Sequence, residues 1–256
     1  MKSLSVRFWL LSCVLVCAVG CDAAPASEQG VPAVSSGAEE ASSAVPARVV
    51  DESSVRQGIN APYFAPDGFD RFARILEAES REVVAHRDEI VDAIGVRQGM
   101  VVADIGAGTG LFTTEIARRV GAQGAVFAVD IVPAFLHRIR ERVETEELTN
   151  VTVVRGEERA TALEDGSVDL AFMCDTYHHI EYPRTYMRSL FRTLRPGATL
   201  VLIDLERIEG KTSPTMLKHV RTDKQTVIQE ISRAGFVLES ETELLEENYY
   251  LRFRRP

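Results

Sequence analysis

The stretch that decides the fold reads DIGAGTG at residues 104–110, with a glycine at every second position from Gly106. The apolar run before it, Met100 to Ile105, predicts a short buried strand, and the amphipathic segment after it, Leu111 to Val120, predicts a helix. Glycines at such a junction permit positive φ angles and let a ligand approach the bare backbone. The N–H groups at the start of the helix favour negative or electron-rich groups. The stretch therefore predicts a ligand-binding turn between a strand and a helix.

A carboxylate closes the next predicted strand, Ala125 to Val129: Asp130 lies 20 residues beyond Gly110. An acid at the carboxyl end of this strand can accept both hydroxyls of a ribose. The alternative is that Asp130 caps the helix predicted from Pro133 to Glu144. The dinucleotide fingerprint G-x-G-x-x-G needs its third glycine where this chain has Leu111. The pattern therefore favours a nucleoside-containing ligand and disfavours a nucleotide-dependent oxidoreductase.

Strands and helices alternate through the rest of the chain, after an amphipathic helical stretch within residues 72–94. Further strands are predicted at 151–154, 168–174 and 198–204, helices at 186–194 and 223–234, and a final hairpin from 236–245 and 249–253. This alternation is typical of an α/β domain with a mostly parallel sheet and helices on both faces.

The glycine stretch resembles, residue for residue, the D/E-x-G-x-G-x-G motif of class I S-adenosylmethionine-dependent methyltransferases. Three later segments resemble the same family: the loop at 154–157, the lead into a strand at 163–170, and the turn LRPGATL at 194–200. The resemblance covers roughly residues 70–256 and is to the small-molecule type, such as enzymes that act on quinone precursors. It implies a Rossmann-like, seven-stranded sheet whose last strand is antiparallel.

The resemblance also assigns the cofactor-binding residues. Asp104 would hold the amino group of the methionine part, and Gly106, Gly108 and Gly110 would line its passage to the ribose. Asp130 would bind the ribose, and Glu157 would lie near the adenine amino group, unless it is simply an exposed loop acid. The remaining residues assigned to the cofactor site are Ala107, Ile131 and Cys174, the last more as a small apolar residue than as a nucleophile.

The methyl acceptor is expected beside the loop after the strand 168–174. Methyl transfer is an in-line displacement, so the protein chiefly positions the acceptor and excludes water. The candidate bases are His178, His179 and Asp175. For the histidines the alternative is packing or a bond to the backbone, and for Asp175 it is a helix cap.

No metal site is predicted, because adjacent residues such as His178 and His179 point in different directions. Asp204 and His219 flank the segment after the strand 198–204, which is expected to be a solvated loop, with a pocket wall as the alternative. Tyr63, Phe64 and Phe69 are predicted to form either a lid over the cofactor or a hydrophobic staple for the first helix.

The start of the chain has the features of an export signal. A basic segment, residues 1–7, precedes an apolar run, Phe8 to Gly20, that is too short to span a bilayer. The end of this run resembles the lipobox of bacterial lipoproteins, with Cys21 as the lipid-bearing residue; an ordinary secretory signal is the alternative. Asp22 resembles the signal that retains some lipoproteins in the inner membrane. The sequence thus predicts a signal peptide (1–20), a lipid-anchored flexible tether (21–60) and a methyltransferase domain (61–256) at the periplasmic face.

The net charge of −9 argues against nucleic acid as a partner, since an acidic protein gains nothing electrostatically from a phosphate backbone. The predicted partner is therefore a small-molecule or lipid-like acceptor, with contact to the membrane through the lipid anchor only. A non-catalytic binding module is the alternative function. Export favours this alternative, because S-adenosylmethionine is made in the cytoplasm.

Overall fold

A computed structural model describes residues 51–256. The predicted signal peptide, Cys21 and residues 21–50 of the predicted tether lie outside the described part of the chain. The helices are α1 (Gly68–Leu76), α2 (Glu82–Ala85), α3 (Arg87–Ile94), α4 (Leu111–Val120), α5 (Pro133–Thr145), α6 (Pro183–Thr193), α7 (Pro214–His219) and α8 (Lys224–Arg233). The strands are β1 (Val101–Ile105), β2 (Ala125–Asp130), β3 (Val151–Arg155), β4 (Val168–Cys174), β5 (Leu194–Leu205), β6 (Val237–Thr242) and β7 (Asn248–Arg254). Two 3₁₀ turns lie at Ala61–Phe64 and Tyr177–His179.

The seven strands form one sheet in the order β3-β2-β1-β4-β5-β7-β6. All neighbouring pairs from β3 to β5 are parallel, and β7 runs antiparallel to both β5 and β6. Buried side chains of α3 and α4 pack on one face of the sheet, and those of α6 and α8 pack on the other. The predicted α/β class, the mostly parallel sheet and the antiparallel C-terminal strand are confirmed.

The structure differs most clearly from the sequence prediction in three places. The amphipathic stretch before β1 is three short helices rather than one or two, and α3 ends where Gly95 adopts a left-handed conformation with φ +79°. Strand β5 begins at Leu194 instead of Ala198, because Leu194 already pairs with Val168 before a bulge. Helix α7 was not predicted. Its residues contribute nothing to the buried hydrophobic core, so they carry little apolar periodicity.

Residues 51–60, which the sequence assigns to the flexible tether, lie against the domain. Val55 N–H donates to the backbone oxygen of Glu181 at 2.8 Å. The Glu181 carboxylate accepts hydrogen bonds from Ser54 Oγ at 2.7 Å and from the Gly58 N–H at 3.0 Å. We name residues 51–64 the strap, because they cross the domain surface near the loop that follows β4.

Glu52 anchors the strap at the start of α6. Its carboxylate accepts hydrogen bonds from the Arg184 N–H at 2.8 Å, the Thr185 N–H at 2.7 Å and Thr185 Oγ1 at 2.6 Å. The first N–H groups of a helix have no partner within the helix, and the helix dipole favours a negative charge there. Glu52 therefore acts as a helix cap supplied from more than a hundred residues away.

The Glu52→Ala variant is expected to lose stability because it leaves these donors unpaired. Loss of a helix cap costs about 0.5–2 kcal/mol, which in a domain of this size lowers Tm by about 2–8 °C. Thermal unfolding followed by circular dichroism measures the change. The matched control is Asp51→Ala, which removes the neighbouring, exposed acid. Equal Tm values for the two variants would contradict the capping role.

Within residues 51–256, none of the helices has both the length and the apolar composition needed to cross a bilayer.

Candidate functional site

A cavity opens at the carboxyl ends of β1, β2 and β4, and its volume is about 1140 Å³ including space open to solvent. This is the edge at which parallel α/β sheets bind their ligands. Of the predicted site residues, those that line the cavity are Asp104, Gly106, Ala107, Gly108, Asp130, Ile131, Glu157, Cys174, Asp175 and His179. Gly110 and His178 are not among the lining residues.

The glycine loop takes a conformation that only glycine adopts readily. Gly106 and Gly108 have φ angles of +73° and +55°, and the N–H groups of Gly106 and Ala107 both donate to the Val129 oxygen, at 2.8 and 3.0 Å. A Cβ on Gly106 would overlap the side chain of Thr176. The two glycines therefore present only backbone atoms to the cavity, and the two hydrogen bonds to Val129 hold the loop against β2.

Gly110 has a role in helix packing. It precedes Leu111 at the start of α4 with φ +81°, and a Cβ there would approach Ile139 of α5 to 3.3 Å. Gly110 therefore allows α4 and α5 to pack closely, and its place along the cofactor passage stays a prediction.

Asp104 is a buried carboxylate at the end of β1, with only 3 % of its surface exposed. Thr113 Oγ1 donates to its Oδ2 at 2.6 Å. Burial raises the pKa of Asp104 to about 7; the Thr113 hydrogen bond opposes this shift, and the nearby Asp130 contributes to it. The side chain is therefore poised to become fully ionised when a cation reaches it.

Asp130 contacts both the glycine loop and the start of α5. Its Oδ2 accepts from the Gly108 N–H at 2.9 Å, and its Oδ1 accepts from the Val132 N–H at 2.8 Å. Burial raises the pKa of Asp130 to about 6, although these backbone hydrogen bonds oppose the shift. The hydrogen bond from the Val132 N–H is one that a helix cap makes, and Asp130 also lines the cavity. The geometry therefore allows Asp130 both to cap α5 and to bind a ribose.

Glu157 is an exposed acid at the rim of the cavity, and Cys174 is a partly buried thiol at the end of β4. Burial raises the pKa of Cys174 well above its usual value, so the thiol stays neutral.

Asp175 lines the cavity, but both of its oxygens are already engaged. Arg81 Nη2 donates to Oδ2 at 2.5 Å, and Asn248 Nδ2 donates to Oδ1 at 2.6 Å. The residue has a left-handed φ of +48°, and the turn that follows has no side-chain cap. The expectation that Asp175 caps this turn is wrong; the side chain joins β4 to β7 and to the segment before α2.

His178 and His179 occupy different environments. The His178 Nδ1 lies 2.6 Å from Asp204 Oδ1, and the His178 N–H donates to Asp204 Oδ2 at 3.0 Å. Because a carboxylate only accepts, Nδ1 carries the proton. His178 is 5 % exposed. It lies behind the cavity wall.

His179 lines the cavity and contacts the strap. Asn60 Nδ2 donates to the His179 backbone oxygen at 3.0 Å, which orients the amide so that Asn60 Oδ1 faces His179 Nδ1 at 3.2 Å. The proton therefore lies on Nδ1, and Nε2 accepts from the Tyr63 hydroxyl at 3.3 Å. Burial lowers the pKa of His179 to about 2, helped by His178 and His219, so the ring is neutral.

Asp204 and His219 do not lie on a solvated loop as predicted. Asp204 is 1 % exposed near the end of β5, and His219 ends α7 with its ring 5.0 Å from the rings of His178 and His179. The rings of His178 and His179 are 4.3 Å apart, so the expectation that they point away from each other is also wrong. One signal was available in the sequence: Asp204 ends a strand at the same sheet edge as Asp104 and Asp130.

The strap supplies residues that the sequence left undecided or did not single out. Tyr63 lines the cavity, which fits the lid alternative, and stacks on Phe72 of α1 with ring centroids 4.0 Å apart, which fits the staple alternative. Phe69 packs against Phe135, and Phe64 is exposed. Asn60 also lines the cavity, but as a polar residue in a Pro- and Gly-containing segment it carried no periodic signal.

Residues 103–202 match the family model described as a methyltransferase domain. The curated relatives include ubiquinone/menaquinone biosynthesis C-methyltransferase UbiE of Idiomarina loihiensis, which is 30% identical over 118 residues, or 46% of this chain and 47% of that protein. UbiE of Yersinia pestis is 31% identical over the same length. The chain thus spans about half the length of the curated relatives it matches.

Among solved structures, a SAM-dependent methyltransferase from Aquifex aeolicus superposes with a TM-score of 0.67 and 26% identity, covering 75% of this chain and 100% of that one. The [4+2]-cyclase SpnF superposes with a TM-score of 0.59 and 14% identity over 70% of this chain and 84% of its own. The fold is therefore the Rossmann-like sheet of class I methyltransferases. A cyclase on the same fold shows that function has to be argued from the site.

Proposed function

We propose that this chain is an S-adenosylmethionine-dependent methyltransferase that acts on a small-molecule acceptor. The observation that carries the proposal is the placement of two buried carboxylates, Asp104 and Asp130, beside a bare glycine loop in one cavity. Burial is the main cause of the raised pKa of both carboxylates, and among the described residues no cationic side chain forms a salt bridge with either. A positively charged ligand in the cavity would stabilise the ionised form of both carboxylates.

The cavity residues fit the cofactor. S-adenosylmethionine carries a positive ammonium group and a sulfonium that supplies an electrophilic methyl group. Asp104 would bind the ammonium group, and Asp130, at the end of β2, would accept the ribose hydroxyls. The backbone of Gly106 to Gly108 permits close approach, and Glu157 lies at the rim where the adenine amino group would extend.

The acceptor would lie against the opposite wall, which is formed by Asn60, Tyr63 and His179. Of the three predicted catalytic candidates, only His179 combines a cavity position with a ring lone pair that a substrate could reach. His178, held by Asp204, and Asp175, held by Arg81 and Asn248, position the loop. The UbiE relatives are C-methyltransferases of ubiquinone and menaquinone biosynthesis, which favours a small cyclic or quinone-like acceptor for this chain.

A non-catalytic binding module is the second candidate, and the export signal predicted at residues 1–20 is the observation that favours it, because S-adenosylmethionine is made in the cytoplasm. Calorimetry on the purified full chain is expected to show binding of S-adenosylmethionine and not of NAD. Transfer of radiolabelled methyl groups to quinone precursors is then expected. Binding of NAD alone would reject the proposal, and tight S-adenosylmethionine binding without transfer to any acceptor would favour the non-catalytic module.

We also propose export and lipid attachment at Cys21, which rests on the sequence alone. Cells that express the full chain are expected to incorporate radiolabelled palmitate into it, and the Cys21→Ala variant is expected to incorporate none. Cys174→Ala is the matched control and should label normally. Equal labelling of the Cys21→Ala variant would reject lipid attachment.

A further inference from the structure

Three histidines converge behind and beside the acceptor wall. His178 and His179 belong to the turn after β4, and His219 is the last residue of α7. Each can offer one ring nitrogen so that the three nitrogens lie within 4.8 Å of one another. The chain has five histidines. Tertiary structure brings His219 to the adjacent pair His178 and His179, because α7 begins more than 30 residues after the turn in the sequence.

The hydrogen bonds around His178 prepare it as a metal ligand. His178 Nδ1 donates to Asp204 Oδ1 at 2.6 Å, so the lone pair of the His178 ring is on Nε2. Histidines that ligate metals commonly donate their other ring N–H to a carboxylate, which fixes the ring and raises its basicity. Asp204 is 1 % exposed and so held firmly in place.

His179 and His219 are also suited to bind a cation. Asn60 holds the Nδ1 proton of His179, which leaves Nε2 with only the long hydrogen bond of 3.3 Å from Tyr63. The His219 ring lies 5.0 Å from each of the other two rings, so one of its nitrogens can reach the same point as theirs. The guanidinium of Arg56, which donates to the Lys218 oxygen, opposes a cation here, and the carboxylate of Asp204 offsets it.

The geometry points to a binding site for a divalent transition-metal ion, with Zn²⁺ as the reference case, formed by the imidazoles of His178, His179 and His219. Imidazole ligands suit zinc, copper, nickel and iron, and three histidines with an open fourth position are the ligand set of a catalytic zinc site. His179 lines the cavity.

The chemical consequence rests on the proposed function. An ion at this position would bind an oxygen atom of the acceptor and lower its pKa. The acceptor class that fits is therefore a molecule with a hydroxyl or phenol oxygen, which the ion would orient toward the methyl group. The hydroxyl proton would pass to solvent, and the oxygen would form a bond to the methyl carbon as the bond from that carbon to sulfur breaks, with S-adenosylhomocysteine as the leaving group.

Metal binding is measured on the full chain after treatment with a chelator. Calorimetric titration with Zn²⁺ and visible absorption with Co²⁺ are expected to show one site. His219→Ala is expected to weaken Zn²⁺ binding at least tenfold, and His219→Phe, which keeps a ring in place, should do the same if the alanine variant unfolds. The matched control is His137→Ala, because the His137 side chain is 74% exposed on α5. This variant should bind Zn²⁺ as tightly as the parent does.

The inference is overturned if the parent binds no Zn²⁺ or if both His219 variants bind it as tightly as the parent. Asp204→Asn gives a second readout, because loss of such a supporting carboxylate weakens metal binding about 10- to 100-fold. Calorimetry with S-adenosylmethionine on the same samples separates the two proposals. Binding of the cofactor without zinc would remove only the metal site, and binding of zinc without the cofactor would remove only the proposed methyltransferase function.

Discussion

The Gly106→Ala variant is expected to lose S-adenosylmethionine binding about a hundredfold. Alanine at φ +73° costs about 1–2 kcal/mol of left-handed strain. Its Cβ would also overlap the Thr176 side chain, and overpacking of this kind costs about 1–3 kcal/mol. Because the loop is pinned to Val129 by two hydrogen bonds, it would relieve the strain by moving toward the cavity. About 3 kcal/mol of strain corresponds to roughly a hundredfold in affinity.

The matched control for this variant is Gly166→Ala. Gly166 has a similar φ of +65°, but a Cβ there meets nothing within 4 Å. The Gly166→Ala variant should therefore lose stability through backbone strain alone, and its affinity for the cofactor should equal that of the parent. Calorimetric titration measures the affinities of both variants, and thermal unfolding measures their stability. Equal affinities for the two variants would show that the crowding at Thr176 has no part in binding.

The Asp104→Asn variant is expected to be more stable than the parent above pH 7 and to bind S-adenosylmethionine far more weakly. Burial raises the pKa of Asp104 from 3.8 to about 7. A shift of about three units corresponds to about 4 kcal/mol, taken as an order of magnitude. Asparagine retains an oxygen that can accept from Thr113 and carries no charge to desolvate, so it removes most of this cost.

The sign of the pH dependence follows from the raised pKa. Below the unfolded-state pKa near 4, Asp104 is protonated in both states and the parent has its full stability. This stability is lost between about pH 4 and pH 7, as the unfolded state ionises while the folded state resists, and the loss is complete above pH 7. The stability gained by Asp104→Asn should therefore grow over the same window, as measured by Tm at several pH values.

Cofactor affinity should change in the opposite direction. A hydrogen bond to a charged group contributes about 1.5–3 kcal/mol, so loss of the carboxylate is expected to weaken binding about 10- to 100-fold. In the parent, affinity should fall as the pH drops below 7, because Asp104 and then Asp130 become protonated. Asp88→Asn, at an exposed position on α3, is the control for loss of charge. A pH-independent affinity in the parent would contradict a role for Asp104 in binding the ammonium group.

Most of the fold follows from local patterns. The helix α4 and the strand β4 have the predicted boundaries, because the amphipathic period of α4 and the apolar run of β4 begin and end where the elements do. The early start of β5 was missed because pairing with β4 extends a strand through Arg195, Pro196 and Gly197, residues that usually indicate a turn. Helix α7 was missed because its side chains stay out of the core.

The nucleoside end of the cavity was also predictable, because its residues lie in one strand-turn-helix unit and at the end of the neighbouring strand. The acceptor end was not. Its wall is assembled from the strap and the turn after β4, and α7 packs His219 against that turn. No periodicity relates Asn60 to His179 or His178 to His219. The role of the last residues of the predicted tether was missed for the same reason, since Glu52 finds its partners on α6.

The amino-acid order alone therefore determined the α/β sheet, the ligand-binding turn at 104–110 and the carboxylates at 104 and 130, because these features depend on spacings of a few residues and on the rule that parallel strands end at one edge. Tertiary structure alone decided the partners of Asp175, the burial of Asp204 and the meeting of three histidines. Those contacts join segments far apart in the chain, and they form only when sheet packing brings separate loops to the same place.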